Sequence, residues 1–178
     1  MFRSLLPDVP VVSGQAEAIP LSDGSADLVV CASAFHWFDH SLAIPEIHRV
    51  LAPGGRLAIV WNRRDELRGW AKGFWGITEE HRGDTPGYRT GAWRRALEDS
   101  PLFGPIDEAW FDHIQRTDLD GLLARVGSIS FIETLPPDVR QDVLERSRRF
   151  IETHEATRGR TTFELPYRTV VYTTERVG

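Results

Sequence analysis

The sequence predicts an α/β fold on a mostly parallel sheet, and two apolar runs joined by one helical segment carry that prediction. Residues 26–32 (Ala-Asp-Leu-Val-Val-Cys-Ala) and 56–61 (Arg-Leu-Ala-Ile-Val-Trp) are of strand length and almost continuously apolar. Strands covered on both faces of a parallel sheet read this way, whereas half-solvated strands alternate. Between the runs, Ile44, Ile47, Val50 and Leu51 recur at helical spacing. A strand, a helix and a second strand in that order make a right-handed βαβ unit. Pro53-Gly54-Gly55 then supplies the turn that ends the helix and starts the second strand.

The remaining elements follow from local chemistry. Residues 9–13 read as a short strand ended by Gly14, and 15–25 as a connector turned by Pro20, Asp23 and Gly24. Asp39 and Ser41 can each cap the helix that runs to Leu51. Pro45 favours a start near Ser41, because proline is cheap only in the first turn. Residues 65–81 predict a helix carrying Trp70, Phe74, Trp75 and Ile77, with internal glycines working against it. Residues 82–91 are irregular and 92–97 form a short helix. A strand at 110–117 precedes a helix marked by Leu119, Leu122, Leu123 and Val126. Pro136-Pro137-Asp138 opens a longer helix with Val139, Val143, Leu144, Phe150 and Ile151 at helical spacing. Residues 167–174 close the chain as a strand placed to pair antiparallel with 110–117.

Composition narrows the class. A chain of 178 residues with 41% hydrophobic content supports one domain, residues 1–178, around a packed core. A formal charge of -5 argues against nucleic acid as the main partner. Cys31 is the single cysteine, which rules out an internal disulfide, and its apolar strand makes a buried, inert thiol the natural reading. The amino terminus lacks a secretory apolar stretch, and no run approaches the roughly 18 apolar residues of a membrane helix. These features predict a soluble, cytoplasmic protein without a membrane partner.

In open parallel sheets ligands sit beyond the carboxyl ends of the strands. That rim collects Gln15, Ala16 and Glu17, then Ala32 to Trp37, then Asn62 to Arg64. His36 is its one histidine and the candidate base if an acceptor hydroxyl or amine must lose a proton. A structural or exposed histidine is the alternative. His36 and His40 lack a third ligand, so no metal site is expected. Arg63 and Arg64 could grip a substrate carboxylate through their guanidinium forks, although surface arginines are the default in so arginine-rich a chain. For Phe35 and Trp37 the competing role is core packing.

The order of these blocks, with Ala34-Phe35-His36-Trp37-Phe38-Asp39 after one strand and Trp61-Asn62-Arg63-Arg64-Asp65-Glu66 after the next, resembles class I S-adenosylmethionine (SAM) dependent methyltransferases. Within them it resembles the type 11 group, including trans-aconitate-type small-molecule enzymes. The resemblance implies that residues 9–13, 26–32, 56–61, 110–117 and 167–174 are strands three to seven of a Rossmann-like sheet ordered 3-2-1-4-5-7-6. It implies SAM as methyl donor and a small-molecule acceptor. Ala16 and Glu17 would then face the adenine edge, with a solvated turn as the alternative. Ser33, Ala34, Phe35 and Trp37 would pass the ribose and methionine.

The family's Gly-x-Gly loop and the acidic residue after its second strand have no counterpart ahead of Val9. The resemblance therefore implies a truncated sheet, with a βαβ core at 8–66, substrate-side helices and strands at 67–178, and weak or absent SAM binding. It also leaves the 26–32 strand without its usual neighbour, an edge prone to association. Residues 9–13 moving inward, a homodimer or a complementing chain would cover it. A non-catalytic remnant or binding module is the competing reading of the whole chain.

Overall fold

The structure is a computed structural model that describes residues 5–64, 69–83, 85, 87 and 90–178. In chain order its elements are β1 (Ala26–Ala32), a 3-10 turn (Phe35–Trp37), α1 (His40–Val50), β2 (Leu51–Arg64) and α2 (Gly69–Glu79). There follow α3 (Ala92–Glu98), β3 (Asp107–Thr117), α4 (Leu119–Gly127), α5 (Ser130–Glu133), α6 (Pro137–Thr153) and β4 (Phe163–Glu175).

The strands form one sheet in the order β1-β2-β4-β3. β1 and β2 are parallel, with Leu28 opposite Arg56 and Ala32 opposite Val60. β4 runs the other way, since Arg56 meets Glu175 while Asn62 meets Thr169 further along β2. The same reversal relates β3 to β4, where Arg168 pairs with Asp112 and Arg116 with Glu164. Three strands thus point one way and the last opposes them, as the sequence predicts. The order also matches strands four to seven of the expected series.

Between β1 and β2 the register slips after Ala26, which faces Leu51. The extra residues include Pro53-Gly54-Gly55, and Gly54 is left-handed at φ 75. The expected turn therefore lies inside a strand that already begins at Leu51, because chain on both sides of it pairs with β1. Helix α1 starts at His40, capped by Asp39, whose carboxylate accepts from Ser41 N (3.0 Å) and Ser41 Oγ (2.6 Å). Pro45 consequently falls in the second turn and not the first. The donor it lacks is the one that would have reached the Ser41 carbonyl.

Several expectations need correction. Residues 9–13 form no strand, and Val9, Val11 and Val12 are exposed. Pro10 has no N–H to give a ladder, and a strand entering a sheet interior needs one at each paired position. No strand among the described residues pairs with the outer edge of β1. Nor is β1 covered on both faces: Leu28 and Val30, on one face, are each 54% exposed. The helix expected over 65–81 is described from Gly69 to Glu79, and residues 65–68 lie outside the described set. The strands at 110–117 and 167–174 begin earlier, at Asp107 and Phe163. The four-residue helix α5 is too short for a periodic signal.

The chain divides into two compact units, Met1–Trp61 with Pro86–Ala109 and Val171–Gly178, and Asn62–Thr85 with Trp110–Val170. In the first, α1 packs against α3, and Phe35, Ile47, Val50, Leu57, Ile59 and Trp93 are buried. In the second, α6 packs against α2 and α4 around Phe74, Trp75, Leu122, Ile132, Val143 and Phe163. At Gly73 of α2 a Cβ would stand 2.8 Å from the Phe150 ring, so a larger residue there must displace that ring. No helix of the described residues is long and apolar enough to cross a membrane.

Leu57 is fully buried in β2, so Leu57→Ala should cost about 2–5 kcal/mol in denaturant unfolding. A loss near zero would remove Leu57 from the core of the first unit.

Candidate functional site

The site begins with a connector that has no ladder to hold it. Arg49 of α1 fixes it, donating to the carbonyls of Leu21 (2.9 Å) and Ile19 (3.0 Å) and to Asp23 (2.5 Å). Glu46, one turn earlier, accepts from Arg49 Nη2 (2.7 Å) and from Ile19 N (2.7 Å). The Arg49 hydrogen bonds first, and the Ile19 N–H after them, hold the Glu46 carboxyl down to about 2. Ala16 and Glu17 occupy the corner of a turn closed by Ala18 N to Gln15 O (3.1 Å). Glu17 Oε1 accepts from Asp39 N (2.9 Å), which ties this corner to the start of α1.

The second part of the rim is the carboxyl end of β1. Ser33 N donates to Val60 O (2.8 Å), and the Ser33 backbone then turns left-handed at φ 53. Ser33 is the one non-glycine residue with positive φ among the described residues. Such strain persists only where surrounding structure enforces it, and it gathers at functional sites. The 3-10 turn follows at once, closed by Trp37 N to Ala34 O (2.9 Å) and Phe38 N to Phe35 O (3.2 Å). Phe35 is its anchor: the ring is buried 6.3 Å from Trp93, and the carbonyl accepts from His40 Nε2 at 3.0 Å. With Phe35 pointing inward, His36 is half-buried and Trp37 is 49% exposed beside it, their rings 5.1 Å apart.

Sequence reasoning missed the residues behind this turn. Trp61 and Trp93 are buried with rings 4.7 Å apart, and Tyr172 lies 4.9 Å from Trp93. Trp61 Nε1 donates to His36 Nδ1 across a long 3.4 Å bond. The signal available was the tryptophan ending an apolar strand, which by itself reads as core. His40, weighed from the sequence only as a metal partner for His36, clamps the turn through Phe35.

Arg63 and Arg64 belong to the second unit. Arg63 lies over the Trp110 ring (5.0 Å) and Arg64 over Trp75 (4.2 Å), cation–π arrangements inside that unit. The structure therefore groups Ala16, Glu17, Ser33, Ala34, Phe35, His36 and Trp37, and those seven come from the first unit. Among the described residues no three His, Cys, Asp or Glu side chains could hold a metal ion. Burial pushes the Cys31 thiol up to about 11.

Residues 2–59, which contain those seven residues, match the methyltransferase domain family. An uncharacterized methyltransferase of Mycobacterium tuberculosis is 38% identical over 176 residues, covering 96% of this chain and 67% of its own length. A methyltransferase-like protein of Schizosaccharomyces pombe is 32% identical over 176 residues, covering 99% of this chain and 68% of its own. The chain belongs to the class I SAM-dependent methyltransferases, in the type 11 group. Its fold agrees: a protein from Anaeromyxobacter dehalogenans assigned as a type II methyltransferase superimposes with a TM-score of 0.61 at 22% identity, covering 96% of this chain and 72% of that one. The methyltransferase fold is thus built on the strand order and the antiparallel last strand described above.

The rim residues of this methyltransferase have groups that could hold one side of SAM. Glu17 keeps Oε2 without a partner among the described residues, an acceptor suited to an exocyclic amino group. The left-handed turn at Ser33 and the small Ala34 leave backbone open to close approach. The exposed Trp37 ring offers a face that attracts a sulfonium cation.

Two predictions test this local architecture. Because the Glu46 carboxyl is depressed from 4.5 to about 2 in the folded chain, its contribution is fully present above pH 4.5 and is lost as pH falls toward 2. Glu46→Gln should lower the melting temperature at neutral pH, and the gap to the parent should close across that acid window. At Ser33, a β-branched residue should suffer most from the positive φ. Ser33→Val should lose on the order of 1–3 kcal/mol in unfolding, with Ser33→Gly much closer to the parent. Equal stability of the two variants would mean that residue 33 is not left-handed in solution.

Proposed function

We propose that this methyltransferase transfers a methyl group from SAM to a small-molecule acceptor at the rim formed by the Gln15–Ala18 turn and Ser33 to Trp37. One observation carries the reading: the strained Ser33 turn at the carboxyl end of β1 opens directly into an exposed tryptophan. That is where an open α/β sheet binds ligands. Ala16 and Glu17 take the adenine edge, the Ser33–Phe35 backbone lines the ribose and methionine, and Trp37 faces the sulfonium. SAM supplies an electrophilic methyl group whose leaving group is already a cation, so the chain's work is alignment and exclusion of water. No covalent nucleophile is needed. The inert, buried Cys31 is consistent with that.

The described rim covers only one side of the ligand, so residues 1–178 on their own should bind SAM weakly. A titration followed by nuclear magnetic resonance should shift the Ser33 amide and the Trp37 indole together, saturating only at millimolar ligand. Shifts confined to other residues would move the site. No shift at any concentration would favour a non-catalytic binding module. Trp37→Ala should abolish transfer in any assembly competent for it, with little loss of melting temperature, because the side chain is half exposed. A fully active Trp37→Ala would overturn the placement.

A further inference from the structure

We infer that the outer edge of β3 is a face on which two copies of this chain pair, antiparallel about a two-fold axis at Asp112, so that one sheet runs through the dimer. The inference is independent of the proposed methyl-transfer site.

β3 ends the sheet at the edge opposite β1. Every residue from Asp107 to Arg116 is exposed, and Trp110 (37%), Phe111 (58%) and Ile114 (58%) hold large apolar side chains in water. An edge of eleven residues is a template for one more strand. Proteins that keep such an edge single commonly blunt it with lysine, proline or like charge. β3 has no lysine and no proline, and its formal charges are Asp107, Glu108, Asp112 and Arg116. Whether those charges repel a second copy depends on the register.

A second copy brings the same strand, so the contact is isologous: where one residue faces another, the reverse pair forms as well. Residues directly opposite across an antiparallel pair share a face of the sheet. With Asp112 on the axis, Trp110 faces Ile114 of the second copy, Phe111 faces His113, and Glu108 faces Arg116, each pair occurring twice. All three exposed apolar side chains thus gain an apolar or aromatic neighbour. The charges match too. Glu108 already holds Arg94 at 3.0 Å and Arg116 holds Glu164 at 3.0 Å, so the cross-strand pair joins them into a row of alternating sign. Asp112 meets its own kind, and each copy brings the Arg168 that it holds at 2.7 Å. Sliding the axis to Phe111 sets Trp110 against Asp112 and Ile114 against Glu108. Sliding it to His113 sets Ile114 against Asp112. Neither slide keeps the Glu108–Arg116 pairs. Main-chain hydrogen bonds supply the affinity of such an added strand, and the side-chain pairs select its register.

Sedimentation equilibrium of the full chain should give a concentration-dependent monomer–dimer equilibrium. Arg116→Glu sets carboxylates against each other at both ends of the interface, so the dissociation constant should rise about tenfold. Adding Glu108→Arg to that variant reverses both cross-strand pairs and should return the constant to within about threefold of the parent. Contacts within one chain cannot explain such a rescue, because the double change sets like charges against Arg94 and Glu164. The register is read separately. Asp112→Cys should cross-link to its own copy under a mild oxidant, whereas Arg116→Cys, across from Glu108, should not. The buried Cys31 does not compete. A chain that stays monomeric at millimolar concentration would overturn the proposal. So would a double variant that is not rescued, or failure of the Asp112→Cys cross-link. A dimer that ignores these changes and dissociates with Leu28→Asp would seat the second copy on β1 and overturn it equally.

Discussion

Arg49 is the constraint on which the rest of the first unit depends. The connector between Gly14 and Ser25 has no repeating hydrogen-bond pattern, and an unladdered segment has every entropic reason to wander. A planar guanidinium with several donors in a fixed fork can bind several carbonyls and carboxylates at once, which a lysine could not. Here it gathers Ile19, Leu21, Asp23 and Glu46 onto one helix. The chain returns the favour, with Gly24 N donating to the Arg49 carbonyl at 2.9 Å. Only because that segment is held can Glu17 reach the amide of Asp39, and only then does the corner carrying Ala16 stand next to the start of α1.

Arg49 also shows how the site and the scaffold are coupled. Asp39 both donates its backbone N–H to Glu17's side chain and caps α1 with its own carboxylate. The Ser41 hydroxyl, and then the Ser41 amide, keep that carboxyl below its usual range. The helix start is therefore shared between the fold and the rim. Movement of α1 would be felt at Phe35 as well, because His40 in its first turn holds the Phe35 carbonyl.

The parallel pair was legible because its apolar runs are long and unbroken, and the helix between them because Ile44, Ile47 and Val50 keep one face buried. The antiparallel last strand was legible from its β-rich composition and the regular strand facing it. What could not be read was tertiary. Residues 9–13 have strand composition, yet composition does not supply a neighbour, and Pro10 denies part of a ladder. The face of β1 carrying Leu28 and Val30 looked buried because apolar side chains do not reveal which of them is covered. At the site, the positions of Ser33, His36 and Trp37 at a strand end followed from topology, whereas the Trp61 to His36 bond joins residues 25 apart and has no local signature. Ser33's handedness was equally hidden, since serine carries no preference for positive φ.

Among the described residues β1 is an edge strand, and it carries the chain's single cysteine. Cys31 faces inward, and burial raises its thiol to about 11, so almost none of it is thiolate near neutrality. An alkylating reagent can consume it only when the inner face of β1 is uncovered. The half-life of that thiol is accordingly a clock for the local opening of that face, and it ticks separately from the melting of the whole molecule.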